Sequence, residues 1–404
     1  VPIRRLAFLI KGTTSERFAV RDAVRLLTPA WGCLLTALAL SLLGVYAIDL
    51  AERADPAGPI SHAAVKQLLF IALGAGACLS LAVIHYRFAA YIAIPAMLLT
   101  VALLVFLLLP FVPTSIVSRR NGARAWIDLG VFLVQPAELA KIAVVLAVAR
   151  FLRYRSQHRR LLGLIPPALI TAIPVALIIL QPDLGSAILF IPALFAMLLA
   201  AGARIRHLAL IVACALIIGP ATYPMLRPHQ QERIVALIRQ IEGDRTTARD
   251  INFQSFTAQD IAAAGGLTGS PDPRTRSLVH YNRLPEAHND MIFAVITNRF
   301  GLVGALATLA LILTWVLCAL ATSAMTRDPF ARLICVGLAA FIATQALVNI
   351  AMNVGLMPII GITLPFVSYG GSSIIASWLM TSLVLAVGTH RALPPYRNSF
   401  EFDQ

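Results

Sequence analysis

The sequence predicts an all-α polytopic membrane protein of about ten transmembrane helices, and three observations carry that prediction. Apolar runs near the roughly 20 residues needed to cross a bilayer recur from residue 29 to residue 389. Of the 404 residues, 59% are hydrophobic and only 13% charged, against about a quarter charged in a soluble domain. The Arg and Lys residues between the runs also gather mainly in alternate loops, as the positive-inside rule requires. The net charge of +14 is scattered between the runs, so it speaks for membrane orientation and against nucleic-acid binding.

In order, the spans are expected at 29–49, 64–84, 88–110, 136–152, 162–180, 185–202, 206–224, 290–324, 331–356 and 366–389. The eighth is too long for a single crossing and is expected to project beyond the headgroups or break near Gly301 and Gly304. Residues 1–28 form an N-terminal segment and 390–404 a tail, both on the cytoplasmic side. That side follows from Arg4, Arg5, Lys11, Arg17, Arg21 and Arg25 before span 1, Arg87 after span 2, Arg150, Arg153, Arg155, Arg159 and Arg160 after span 4, Arg204 and Arg206, Arg327 and Arg332, and Arg391 and Arg397. No A-x-A-like site precedes the first span, so no cleavable leader is expected. Cys33, Cys78, Cys214, Cys318 and Cys335 all lie inside apolar runs without CxxC or Cys/His spacing, which indicates neither a disulfide framework nor a structural zinc site.

The opposite side carries a long loop, 225–289, between spans 7 and 8. Pro228 to Ile241 has helical spacing, Phe253 to Ala264 reads as an amphipathic segment on the outer surface, and Gly265 to Pro271 reads as a turn. Arg227, Arg233, Arg239, Arg245, Arg249, Arg274, Arg276 and Arg283 lie here, with Arg119, Arg120 and Arg124 between spans 3 and 4. They are either a solvated loop surface or a site for a phosphate-bearing membrane substrate, since guanidinium pairs bidentately with phosphate oxygens.

Four polar clusters open on this same outer face. The first is GARAWIDLG at 122–130 with QPAELAK at 135–141, in which Pro136 suits a helix's first turn. Glu138 and Lys141, three residues apart, share one helix face. Each charge costs about 2.5–3.5 kcal/mol at a bilayer centre, so the pair is expected to face the protein interior, as a structural salt bridge or as part of a site. The second is QPDLG at 181–185, where Asp183 suits a helix cap or a site wall. The third is LPEAHNDMIFAV at 284–295, three ionisable residues directly ahead of a long apolar run, with Asn289 or Asp290 as candidate N-cap. The fourth is GITLPFVSYGGSS at 361–373, whose Gly370 and Gly371 permit close approach of a ligand or of a neighbouring helix, and whose Ser368 and Ser372 offer hydroxyls. Gln345, Asn349 and Asn353, four residues apart, form a polar stripe leading to the same side.

At these motifs, and at FQS (253–255) with the following Gly265-Gly266, the chain from about Gly122 onward resembles the SEDS family of shape, elongation, division and sporulation proteins, which includes RodA, FtsW and SpoVE. The Gln135–Glu138, Leu284–His288 and Gly361–Pro365 segments look nearer the FtsW branch. The resemblance implies a ten-span SEDS-type fold and a peptidoglycan glycosyltransferase. The implied enzyme polymerises lipid II, the undecaprenyl-pyrophosphate-linked disaccharide-pentapeptide, at the outer face of the cytoplasmic membrane, with a class B penicillin-binding transpeptidase as partner. It implies Asp290 as catalytic carboxylate and Glu138 with Lys141 as an intramembrane acid–base pair. Arg124, Gln135, Asp183, Gln254, Glu286, His288, Ser368, Gly370, Gly371 and Ser372 are the candidate substrate-binding residues. Pyrophosphate is a good leaving group that asks mainly for positive charge. Arg124, Lys141 and loop arginines are the candidates for that charge, Lys141 is expected to keep a nearby Asp290 ionised, and a divalent cation, Mg or Mn, is the one cofactor this chemistry leaves room for.

The chain departs from the family pattern in several places. Asn298-Arg299 stands where two acidic residues are usual, Asn289 where Thr is usual, and Ser270-Pro271-Asp272-Pro273 where a second glycine turn with Lys is usual. A lipid II flippase would use the same intramembrane charges but would need polar positions open to the cytoplasmic side, and those here are nearly all on the outer side. A non-catalytic scaffold for a transpeptidase is the other alternative, and Asn298-Arg299 favours it.

Overall fold

The computed structural model describes residues 28–390, apart from 54, 56–57, 114–115, 121–122, 129, 131–132, 154–159, 222, 224–230, 232–234, 237, 241 and 243–251. Outside the described residues therefore lie 1–27 of the expected cytoplasmic segment and 391–404 of the tail with their arginines, most of the expected 228–241 helix, Gly122, Arg155 and Arg159, and Arg227, Arg233, Arg245 and Arg249.

Each apolar run folds as a helix: α1 Ala30–Glu52, α2 His62–Ala82, α3 Arg87–Leu108, α4 Pro136–Leu152, α5 Ile165–Leu180, the broken pair α6 Leu184–Ile188 and α7 Phe190–Ala200, and α8 Ile205–Ala221. After the long loop's α9 Phe253–Ala263 and α10 Asp272–Tyr281 come α11 Ile292–Ala324, α12 Pro329–Asn353 and α13 Gly371–Thr389. Seven helices among the described residues are long and apolar enough to span a membrane, and the runs at 136–152, 184–200 and 205–217 are shorter. Starts follow local chemistry. Ser61 accepts from the Ala64 amide ahead of α2, Asp328 from the Phe330 amide ahead of α12, and Pro136 occupies the first turn of α4.

Helices α12 and α13 are the most enclosed of the long spans, while the apolar stretches of α3 and α11 are the least buried inside the protein, together with that of α5. In hydrocarbon the exposed face is as apolar as the buried one, so burial is read from packing and not from an amphipathic stripe. α13 lies along α2, α11 between α1 and α12, and α12 against α4 and α7. One feature was not foreseen. Val117–Arg120 (β1), Ala123–Asp128 (β2) and Leu133–Val134 (β3) form a small antiparallel sheet, with Val117 opposite Ile127 and Ile127 opposite Val134. It sits over the end of α3 on a patch of Leu107, Val112, Val117 and Ile127.

The expected break in the eighth span is present, at Gly301 (φ 66°, ψ −163°). The Gly265–Ser270 turn fills the gap. Leu302 N donates to Gly266 O (2.9 Å), Val303 N to Leu267 O (3.3 Å), and Ser270 N to Asn298 O (2.9 Å). The turn thereby replaces the helical ladder where Gly301 interrupts it, a specific cause for the kink. α9 packs one face against α11: Phe256, Ala258 and Ile261 are buried, and Ile261 O accepts from Asn298 Nδ2 (2.6 Å).

Candidate functional site

The four polar clusters meet at one end of the bundle. Gln135, just ahead of α4, donates its side-chain amide to Asp183 Oδ2 (3.1 Å), and its backbone amide donates to Ser372 Oγ (3.0 Å). Ser368 Oγ donates to Asn289 O (2.7 Å), and Tyr369 N to His288 O (2.9 Å), joining the 361–373 stretch to the 285–291 turn. At the other end, Asp328 ties Arg153 (3.3 Å) to Tyr86 (3.2 Å).

Asp290 lies in the turn ahead of α11, outside the span. Its backbone carbonyl accepts from Asn349 Nδ2 (2.8 Å) and Asn353 Nδ2 (2.9 Å), and Asn349 Nδ2 also donates to Ile362 O (2.7 Å). The α12 amide stripe thus holds the catalytic candidate and the Gly361–Thr363 stretch together. Gly361 has φ 71°, and a Cβ built there lies 3.7 Å from Asp290 Oδ2, so the carboxylate faces this stretch. Burial pushes the Asp290 carboxyl up to about 7, helped by the negative charges of Glu286 and Asp183. Lys141 was expected to act in the opposite sense, keeping Asp290 ionised. Its Nζ instead donates to Glu138 Oε1 (2.6 Å) and Gln345 Oε1 (2.7 Å), deep between helices. The third member of the stripe, Gln345, passes the linkage on by donating to Thr363 O (3.0 Å), and Thr363 Oγ1 lies 2.9 Å from Ser373 Oγ.

Neither Asn289 nor Asp290 caps α11. The helix begins at Ile292 after Met291, without a side-chain cap, because the turn continues two residues further than expected. Asn289 Nδ2 donates to Glu286 Oε2 (2.5 Å), and the Ala294 amide donates both to Met291 O (3.1 Å) and to Asn353 Oδ1 (3.1 Å) on the neighbouring helix. Glu286 sits at φ 50°, and Gln254 Nε2 reaches the same turn at Pro285 O (3.2 Å). Asp183 both caps α6, accepting from Ser186 N (2.9 Å), and walls the site through Gln135.

Several candidates are engaged within the protein. Ser372 Oγ donates to Leu133 O (2.5 Å), Ser368 Oγ also accepts from Leu364 N (2.7 Å), and Gly370 N donates to Gln67 Oε1 (3.3 Å). At Gly371 the Phe70 ring lies 3.1 Å from where a Cβ would stand, so the glycine admits a neighbouring helix. Arg124 Nη2 donates to Val112 O (3.1 Å) and pins the sheet to the end of α3. Of the described loop arginines, Arg276 is buried against α1, whereas Arg239, Arg274 and Arg283 are exposed. Among the described residues, no group of three or more His, Cys, Asp or Glu is arranged to hold a metal ion.

Sequence reasoning missed Gln67, Ser186 and Glu52. Gln67 Nε2 donates to Ser368 O (3.0 Å), and its signal was a lone amide in an apolar run. Glu52, beside Arg53 at the end of a span, reads as a solvated charge, yet its Oε1 lies 2.7 Å from His288 Nδ1. The two main departures from the family pattern prove to be partners: Arg299 Nε pairs with Asp272 Oδ1, and Tyr46 bridges both.

Residues 28–393 match the family model FTSW_RODA_SPOVE, described as cell cycle protein. The chain is 33% identical over 328 residues to a probable peptidoglycan glycosyltransferase FtsW of Geobacter metallireducens, covering 80% of this chain and 84% of that one. It is 32% identical over 283 residues to the peptidoglycan glycosyltransferase MrdB of Escherichia coli K12, covering 68% and 73%. Its fold matches a chain solved in a peptidoglycan synthase complex, in work on the coordination of polymerization and crosslinking, with TM-score 0.73 and 29% identity over 89% of this chain and 97% of that one.

Proposed function

This chain belongs to the FTSW_RODA_SPOVE family of cell cycle proteins, and from that premise we propose that Asp290 is the general base with which it polymerises lipid II at the outer face of the cytoplasmic membrane. It is a multi-pass membrane protein and a peptidoglycan glycosyltransferase. The observation that carries the reading is the placement of Asp290: held by its own carbonyl on two asparagines, its carboxylate facing Gly361 and pushed up to about 7 by burial.

In the proposed step an acceptor sugar hydroxyl attacks the anomeric carbon of the donor. The new oxygen–carbon bond forms as the bond to the lipid pyrophosphate breaks; the hydroxyl proton passes to the Asp290 carboxylate, and the pyrophosphate leaves with the electron pair. A single in-line displacement inverts the anomeric configuration. Exposed guanidinium groups on the outer loop, Arg274 and Arg283 among them, meet the pyrophosphate charge. The Glu138–Lys141 pair acts at a distance, bracing the Gly361–Thr363 stretch through Gln345. Both termini face the cytoplasm in this reading, and a class B transpeptidase is the partner, a proposal supported by the likeness to a chain of a peptidoglycan synthase complex.

Purified Asp290→Asn, with an unchanged melting midpoint, is expected to lose about 10²–10⁴-fold in glycan-strand synthesis from lipid II, the usual contribution of a general base. Turnover near the wild-type rate would remove Asp290 from this role.

A further inference from the structure

The outer end of α1 carries Tyr46, Asp49 and Glu52 at three-residue steps, on one helix face. Each holds a different piece of the segment that leads into the site. Tyr46 Oη donates to Asp272 Oδ1 (2.7 Å) and accepts from Arg299 Nε (2.9 Å). Asp49 Oδ2 accepts from Arg276 Nη2 (3.0 Å), while Arg276 Nη1 donates to the carbonyls of Asp49 and Arg53 (both 2.8 Å). Glu52 Oε1 accepts from His288 Nδ1 (2.7 Å).

Carboxylates in the last turns of a helix oppose its macrodipole. α1 has no basic residue in its last turn, and the partners come from Arg53 just past its end, from α10 and from the 285–291 turn. An unfavourable placement on the helix is thus offset by contacts with the region around the site. His288 is held from three directions, by Glu52, by T-shaped contact with the Tyr369 ring (centroids 5.5 Å apart) and by the Tyr369 amide on its carbonyl. Asp290 is two residues further along the same turn.

We propose that Glu52 is a positioning residue for glycosyl transfer: through His288 it fixes the turn that presents Asp290. The inference rests on the reading of Asp290 as the base. The Glu52–His288 pair is partly exposed, so it adds little to stability, and its removal leaves a folded protein in which the turn is less well placed.

The test is steady-state lipid II polymerisation by the full purified chain. Glu52→Ala is expected to lower kcat about tenfold, because sub-ångström misplacement of a reacting group is costly. KM should stay within about twofold and the melting midpoint should hold. Glu52→Gln, whose amide oxygen still accepts from the imidazole, should recover at least half of the lost rate. The Glu52→Ala/His288→Ala double variant should be no slower than His288→Ala alone. A wild-type rate in Glu52→Ala, additive losses in the double variant, or a loss seen only as raised KM or lowered midpoint each overturn the proposal. Absence of strands from the wild-type protein would instead overturn the glycosyltransferase reading on which it stands.

Discussion

Gly301→Ala puts a methyl group where the backbone leaves no room. At φ 66° and ψ −163° the residue lies in a region that is essentially glycine's alone. A Cβ there would fall well inside van der Waals contact of Leu267 O and C and 2.5 Å from Gly269 N. These are backbone atoms of the turn that fills the kink, so no side chain can rotate aside. Holding the conformation costs about 1–3 kcal/mol. Displacing the turn forfeits its three hydrogen bonds to residues 298, 302 and 303, at about 0.5–1.5 kcal/mol each. Together that is about 2.5–7.5 kcal/mol, from the top of the range of about 0.5–3 kcal/mol for ordinary substitutions to well beyond it. The assay is thermal unfolding of the detergent-solubilised protein alongside glycan-strand synthesis. Gly76→Ala, in α2 with nothing within 4 Å of the added methyl, is the control; it should be neutral or stabilising by up to about 1 kcal/mol. If Gly301→Ala keeps its midpoint within about 1 kcal/mol of wild type and still makes strands, the turn does not hold the kink as described.

Two further outcomes follow from the site. Burial, and after it Glu286 and Asp183, raises the Asp290 carboxyl to about 7. A general base works only when deprotonated, so kcat/KM should fall as pH drops through about 7. Glu286→Gln removes one of the raising charges and should carry that limb to lower pH; an unmoved limb would separate Glu286 from Asp290 electrostatically. Charge reversal tests the partnership of the two family departures. Asp272→Arg and Arg299→Glu should each lower the melting midpoint, and the double variant should recover about 0.5–1 kcal/mol of coupling, the range for a partly exposed pair. Purely additive losses would count against the pair.

What the sequence determined by itself is what repeats locally. Span-length apolar runs became helices, the glycine inside the longest run became its break, and Pro136, Asp183 and the Gly265–Pro271 turn formed where local backbone chemistry predicts. Loop charge also placed the four polar clusters on one face, and the Gln135–Asp183, Gln135–Ser372 and Ser368–Asn289 hydrogen bonds bring them together.

The tertiary structure decided which polar group meets which. Lys141 finds Gln345, 204 residues away, and not Asp290; Gln67 finds Ser368; Glu52 finds His288; and Asp272 meets Arg299. No periodicity encodes such pairs, because each depends on the relative height and rotation of two helices whose lipid-facing sides are equally apolar. Ser368, Ser372 and Gly371, which the sequence leaves open between ligand contact and helix packing, bond backbone groups or admit a neighbouring helix in the fold. A buried polar group must find a partner wherever the chain supplies one, and only the packed helices reveal whether that partner is the protein or a substrate.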